Sequence, residues 1–243
     1  MFLMLYIVGI GSGSPDGLTG EALNALKNCS LVVGYTVYCD LLRPLFPEKE
    51  YYSTGMRQEK ERVGFALEQA ACGLDVSLVC SGDAGVYGMA SLAYELGEKY
   101  VNVQICVIAG VTAALSGAAL LGSPLTNDFA VISLSDLLTP WEVIVKRIEG
   151  AASGDLAIAL YNPMSHRRTD NLRMACEIIL KYRSNDTPCG IASNIGREGE
   201  NCEILTLGEL QNTVVDMFTT VFVGNSVTRI IGGKLVTPRG YRL

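Results

Sequence analysis

The stretch Tyr6-Ile7-Val8-Gly9-Ile10-Gly11-Ser12-Gly13-Ser14-Pro15-Asp16-Gly17-Leu18-Thr19 limits the possible folds of this chain more than any other. Met4 to Val8 is an unbroken apolar run, the pattern of a strand buried on both faces. It leads directly into alternating glycines, Gly9, Gly11 and Gly13. Glycine lets the backbone turn sharply and lets a ligand approach the main chain without meeting a Cβ. A buried strand that ends this way puts its loop at the carboxyl edge of a sheet, where ligands sit in open α/β folds. The spacing is G-x-G-x-G, not the G-x-G-x-x-G of dinucleotide sites. Pro15 keeps Ser14 out of the helical region, which delays the next helix to about Leu18 or Thr19. The next strand ends in Gly34-Tyr35-Thr36, with no acid there to hold a ribose, and no G-K-[ST] phosphate loop occurs. Taken alone, the motif reads equally well as an ordinary glycine-rich βα turn.

The rest of the first half repeats the theme. Thr19 to Asn28 reads as a helix, Leu31 to Gly34 as a buried strand, and Tyr51 to Ser53 as a third strand. Arg57 to Cys72 is amphipathic, with Val63, Leu67, Ala70 and Ala71 on one side and Glu59, Lys60 and Glu61 on the other. Gly73 stops it. Val76 to Cys80 is a buried strand leading into Ser81-Gly82-Asp83-Ala84-Gly85-Val86-Tyr87-Gly88. After a helix from Met89 to Tyr100, the strand Val103 to Ile108 leads into Ala109-Gly110-Val111-Thr112-Ala113-Ala114, which opens a small-residue helix to Leu121. Three such turns in one parallel α/β half emerge on one edge.

Gly122 to Asn127 reads as a linker, dividing an N-terminal α/β domain, 1–122, from a C-terminal α/β domain, 123–243. Ala130 to Leu134 and Leu156 to Leu160 read as strands, and Pro140 to Ala152 and Asp170 to Tyr182 as helices. The close-set strands Cys189 to Ser193, Cys202 to Thr206 and Thr219 to Val223, and a hairpin over Ile230 to Val236, indicate antiparallel pairing late in the chain. The expected fold is therefore two α/β domains, the first sheet mostly parallel and the second mixed.

Composition narrows the partners. About half the residues are apolar, which suits a large buried core. A formal net charge of −6 argues against nucleic acid. It leaves room for an anionic small molecule held by a local basic cluster. The eight cysteines include no C-x-x-C pair and read as buried thiols of a reducing compartment; no metal site is expected. The apolar start is too short to cross a membrane and lacks a basic flank, so the expectation is a cytoplasmic chain with no membrane partner.

Together the motifs resemble the tetrapyrrole (precorrin) methylases. The matching segments are V-G-I-G-S-G-S-P-D-G-L-T at 8–19, G-D-A-G-V-Y-G at 82–88, A-G-V-T-A-A at 109–114 and S-P-L-T at 123–126. I-S-L-S-D-L-L-T-P-W at 132–141, L-Y-N-P at 160–163, V-G-N-S at 223–226 and V-T-P-R-G-Y at 236–241 resemble those members that methylate C17 of precorrin-3B or cobalt-factor III in cobalamin biosynthesis. The resemblance implies S-adenosylmethionine bound in the cleft between the domains and released as S-adenosylhomocysteine. It also implies an anionic tetrapyrrole substrate, ring contraction coupled to methylation, and a homodimer. Carried over by position, the cofactor contacts are Gly11, Ser12, Gly13, Ser81, Gly82, Asp83, Val86, Thr112, Ala113, Tyr161 or Asn162, and Gly190. Without the resemblance, Asp83 reads rather as a cap for a helix starting near Tyr87.

Where uroporphyrinogen-III methylases carry a proton-accepting acid after the second strand, this chain has Thr36, which argues against that substrate. His166, the single histidine, is the catalytic candidate for proton movement, against a plain surface-loop reading. Ser14, Tyr38 and Tyr161 are further candidates for that role. Arg167 and Arg168, with Ser14, are the candidate substrate contacts, because arginine pairs with carboxylates through two parallel bonds; a solvated pair at a helix start is the alternative. The rival functions are a nicotinamide-dependent oxidoreductase, disfavoured by the loop spacing, a related methylase acting at another position or substrate, and a non-catalytic binding module.

Overall fold

The computed structural model describes residues 3–165 and 168–242. The chain forms two compact units, Met1–Thr112 and Ala113–Leu243.

The first unit alternates strand and helix: β1 Leu3–Gly9, α1 Gly20–Asn28, β2 Leu31–Tyr35, α2 Thr36–Leu42, β3 Glu50–Thr54, α3 Glu59–Ala71, β4 Val76–Cys80, α4 Ala90–Gly97 and β5 Val103–Ile108. Its sheet runs β3-β2-β4-β1-β5, and every pairing is parallel. Alternate strand residues supply two cores, as period-2 geometry requires. Leu5, Ile7, Val33 and Leu78 pack with Val63, Leu67 and Ala93 of α3 and α4. Val8, Val32 and Val79 pack with Ala22, Leu26 and Leu42 of α1 and α2 on the other face. The neighbouring strands β1 and β4 thus send their chains to helices on opposite faces. That arrangement is the switch point at which such sheets bind ligands.

The second unit comprises α5 Ala113–Leu121, β6 Gly122–Ser123, β7 Phe129–Ser133, α6 Trp141–Ser153, β8 Ala157–Tyr161, α7 Asn171–Ile179, β9 Pro188–Ser193, β10 Asn201–Thr206, α8 Leu207–Leu210, β11 Thr219–Val223, β12 Arg229–Ile231 and β13 Lys234–Val236. Its main sheet, β10-β9-β11-β8-β7, is mixed as expected: β7 and β8 are parallel and the other neighbours antiparallel. Helices α6, α7 and α8 cover one face. The other receives α5, whose Ala114, Ala118 and Leu121 pack on Ala159, Ala192 and Phe222. A Cβ on Gly117 would come within 2.9 Å of the Phe222 ring, so the small-residue helix is what lets α5 lie this close.

Two expectations need correction. The units divide between Thr112 and Ala113, not at 122/123, because α5 belongs to the core of the second unit. Nor is the S-P-L-T segment a linker. Ser123 lies in β6, which pairs with β13, and Thr237 donates from Oγ1 to Pro124 O (2.6 Å) and from N to Ser123 O (3.0 Å). Thr228 Oγ1 lies 2.8 Å from Thr237 Oγ1 and donates to Asn225 Oδ1 (3.0 Å). Three of the diagnostic motifs are thereby joined in one buried polar cluster. Among the described residues, no helix is long and apolar enough to cross a membrane.

Candidate active site

The three loops of small residues do converge. Strands β4, β1 and β5 are neighbours, so the loops that follow them leave from the same edge. Gly11 and Gly82 exchange both main-chain hydrogen bonds, at 3.0 and 2.7 Å. A Cβ on Gly9 would lie 2.6 Å from Gly110 N and 2.8 Å from Gly82 O. One on Gly110 would collide with Gly82 O and Gly9 C. The three turns therefore pack backbone against backbone, and only glycine fits at these two positions.

Side chains finish each turn. Gly11 and Gly13 adopt positive φ (58° and 88°) in the first loop. Ser12 Oγ and Ser14 Oγ are 2.9 Å apart, and Ser14 Oγ accepts from Gly17 N (3.2 Å), capping a short 3-10 turn over Pro15–Gly17. Ser14 is extended (φ −78°, ψ 155°), as Pro15 demands, and α1 starts after Thr19, which caps it through Ala22 N (3.1 Å). Thr19 Oγ1 also reaches Ala109 O (3.2 Å), joining the first loop to the third.

Asp83 Oδ1 accepts from Gly85 N (2.8 Å) and Val86 N (3.1 Å), while Oδ2 accepts from Gly110 N (2.9 Å). It does not cap a helix near Tyr87, because α4 starts only at Ala90, after Met89, with no side-chain cap. Ser81, Gly82 and Val86 are partly exposed on this loop, and Thr112 ends the first unit. Ala113 opens α5 in the second unit.

The carboxyl ends of β7, β8 and β9 form one edge of the second sheet. Asn162, just past β8, holds the left-handed region (φ 52°) and donates from Nδ2 to Ser133 Oγ (3.0 Å). Tyr161 Oη accepts from Ala114 N (2.5 Å) at the start of α5. Arg168 is largely enclosed rather than solvated. It donates to Ser165 Oγ (3.2 Å) and Leu134 O (3.4 Å) and lies 3.9 Å from Asp136. Gly190 pairs with Phe222 inside the sheet, and a Cβ there would meet Leu121 at 2.7 Å. Its bare backbone lets α5 close on the sheet. His166 and Arg167 lie outside the described residues.

Sequence reasoning missed Arg62, which is 3% exposed. From α3 it reaches the ends of the neighbouring strands, donating to Thr54 Oγ1 (2.9 Å), Gly55 O (2.8 Å), Thr54 O (3.3 Å) and, weakly, Met89 Sδ (3.5 Å). Its guanidinium stands 5.8 Å from the Tyr35 ring. Thr36, in place of an acid, donates to the same Thr54 O (3.2 Å). Arg62 makes no ion pair among the described residues. The available signal was its register with Ala66 and Ala70, four and eight residues on, which puts it on the buried stripe.

The family model described as Tetrapyrrole (Corrin/Porphyrin) Methylases matches residues 4–211. The chain belongs to the tetrapyrrole methylases. Membership makes it an S-adenosylmethionine-dependent methyltransferase. This methylase is 44% identical over 99% of its length to a Salmonella typhimurium protein named "Probable cobalt-factor III C(17)-methyltransferase", all of which is covered. It is 46% identical to a protein of the same name from Methanocaldococcus jannaschii, covering 98% of each chain. Among solved structures it resembles that of the methyltransferase CobJ, with a TM-score of 0.90, 35% identity, and 97% and 99% of the two chains covered.

Proposed function

We propose that this methylase transfers a methyl group to C17 of a cobalt-factor III or precorrin-3B type tetrapyrrole, a step coupled to ring contraction in cobalamin biosynthesis. The observation that supports it most is the main-chain cradle at the first sheet's switch point, in a chain whose relatives carry the C17-methyltransferase name. S-adenosylmethionine supplies an activated methyl on a sulfonium, so the ring carbon attacks, the carbon–sulfur bond breaks and its electron pair stays on sulfur.

The residues assigned to the cofactor's seat are Gly11, Ser12, Gly13, Ser81, Gly82, Asp83, Val86 and Thr112, with Ala113, Tyr161 or Asn162, and Gly190 from the second unit. The bare glycine main chain lets the amino-acid part come close to the loops without meeting a Cβ, and Val86 offers an apolar surface to adenine. Methyl transfer needs alignment and exclusion of water more than a strong base. Contraction moves protons, and His166 is the group assigned to that step. Ser14, Arg167 and Arg168 are assigned to the substrate's carboxylate rim. We place the enzyme in the cytoplasm as a homodimer, on the strength of the family resemblance; sedimentation at several concentrations tests the dimer.

The deciding experiment is anaerobic incubation with S-adenosylmethionine and the ring substrate, with and without cobalt, read by mass spectrometry. A product heavier by one methyl and lacking the C20 bridge in the ring is expected. Methylation at another ring position would move the chain to a sister activity. Tight binding of NAD with none of S-adenosylhomocysteine would end the reading.

A further inference from the structure

An acid beside a cationic cofactor invites the reading of a counter-ion. Asp83 of the second glycine-rich loop would stand beside S-adenosylmethionine, which carries both an ammonium and a sulfonium, if the cofactor binds at this edge as proposed. The geometry points elsewhere. Both carboxylate oxygens are already engaged by peptide donors: Oδ1 by Gly85 N and Val86 N, Oδ2 by Gly110 N. The first two bonds close a turn inside the loop. The third spans 27 residues to the loop after β5. It falls where the chain is most crowded, since Gly110 abuts Gly82 O and the Gly9 carbonyl carbon without room for a Cβ. A charged acceptor with three N–H donors is close to saturated, and each charge-assisted bond is stronger than a neutral one.

We propose that Asp83 is a positioning residue: its carboxylate clamps the second loop to the third and so shapes the cradle, rather than pairing with the charge of the cofactor. The proposal rests on the reading of this edge as the cofactor's seat. It carries a consequence that a counter-ion does not. Loss of the clamp deforms the whole seat, so ligands with and without the amino-acid moiety suffer alike.

Two probes separate the cases. S-adenosylhomocysteine carries the amino-acid moiety, whereas methylthioadenosine keeps the nucleoside and sulfur but lacks it. Asp83→Asn retains an acceptor for Gly85 and Val86 but turns an amide NH2 toward Gly110 N–H. Calorimetric titration of wild type and variant is expected to show both ligands weakened by the same factor, about tenfold, the loss of roughly one hydrogen bond to a charged group. Weakening of S-adenosylhomocysteine alone would identify a direct contact with the amino acid and overturn the proposal. So would unchanged affinity for both. If Asp83→Asn does not fold, by circular dichroism and thermal melting, Asp83→Ser serves, because its hydroxyl can still close the local turn. Wild-type protein that binds neither ligand removes the cofactor reading itself, an outcome distinct from a failed ratio.

Discussion

At the carboxyl edge of the first sheet Gly9, Gly82 and Gly110 meet main chain to main chain, whereas the edge of the second is shaped by Ser133, Tyr161, Asn162 and Arg168 side chains. The contrast is one of tolerance. Interlocked peptide groups leave no space to absorb a single added methyl. Side-chain networks lose one bond at a time. On the proposed reading the cofactor draws most of its contacts from the first construction and the substrate from the second, because altered side chains change the shape and donors of a site without disturbing its sheet.

Gly110→Ala should therefore have the largest effect of any conservative change. Its Cβ collides with Gly82 O and with Gly9 C, both fixed backbone. We expect S-adenosylhomocysteine affinity to drop about a hundredfold or more, equivalent to roughly 3 kcal/mol, in titrations on folded protein. Near-normal binding would show that the loops can part, and the contrast between the edges would disappear.

The cores beneath the edges should behave alike. Burial pushes the thiols of Cys39 and Cys80 up to about 11 in the first unit and that of Cys176 up to about 12 in the second. An unfolded thiol titrates near 9.0, the reference value for these groups. Between that pH and the native values the unfolded chain has released protons that the native chain retains. Stability is thus unaffected below pH 9 and falls above it, by about 1 kcal/mol per thiol for each pH unit. Denaturant melts from pH 8 to 10.5 should show this in both units; a loss confined to one would mean that the cores differ as the edges do.

Arg62, like Asp83, is a side chain at the first edge on which main-chain groups depend. Arg62→Met leaves Thr54 Oγ1 and the Thr54 and Gly55 carbonyls short of a buried donor. A loss of about 3 kcal/mol is expected in urea titrations. Arg62→Lys, which keeps a donor and a charge, should recover part of it. A neutral Arg62→Met would show that water replaces the guanidinium, and that this edge holds without it.

Much of this was legible in the chain because it depends on local pattern. Val76–Cys80, Val103–Ile108 and Thr219–Val223 run over the residues that their apolar runs marked. The glycine loops were found for the same reason, since a ligand-facing turn and a crowded one share a composition. Helix α2 was not found. It starts at Thr36, directly after β2 ends at Tyr35, an N-cap residue that makes no side-chain capping bond, and its seven residues carry too short a periodicity to read. The tertiary partners were also out of reach: Asp83 finds Gly110 27 residues away, and Thr237 finds Pro124 113 residues away. Local reading consequently took a buried polar cluster for a linker and placed α5 with the wrong unit. Alpha carbon chemistry at the three glycines pointed to a cradle, but only the fold shows that they touch.

At the second edge Asn162 combines two features that can be separated. Asn162→Gly keeps the left-handed backbone and loses the bond to Ser133, while Asn162→Ala loses the bond and adds strain at φ 52°. We expect stability losses of about 1 and about 2 kcal/mol respectively. Turnover of the ring should fall in both, with S-adenosylhomocysteine affinity reduced only about fourfold, about 0.8 kcal/mol, because this edge supplies few of the proposed cofactor contacts and the first edge most of them. Damage to cofactor affinity as large as that of Gly110→Ala would make this edge as central to the cofactor as the first, and the division of labour between the edges would need redrawing.

The smallest effect should come from Thr19→Ala, and its smallness is informative. Thr19 caps α1 through Ala22 N and touches Ala109 O, so it is a side-chain link between the first and third loops. Removing an N-cap hydroxyl costs about 1 kcal/mol. The loops remain joined through Gly11, Gly82 and Gly110, none of which needs Thr19. Thermal melting should register the lost cap, cofactor affinity should change only a few-fold, about 0.8 kcal/mol or less, and Thr19→Ser should restore both. If Thr19→Ala weakened cofactor binding as much as Gly110→Ala, a single hydroxyl would be holding what the peptide groups are said to hold. The first edge would then be built of side chains, like the second.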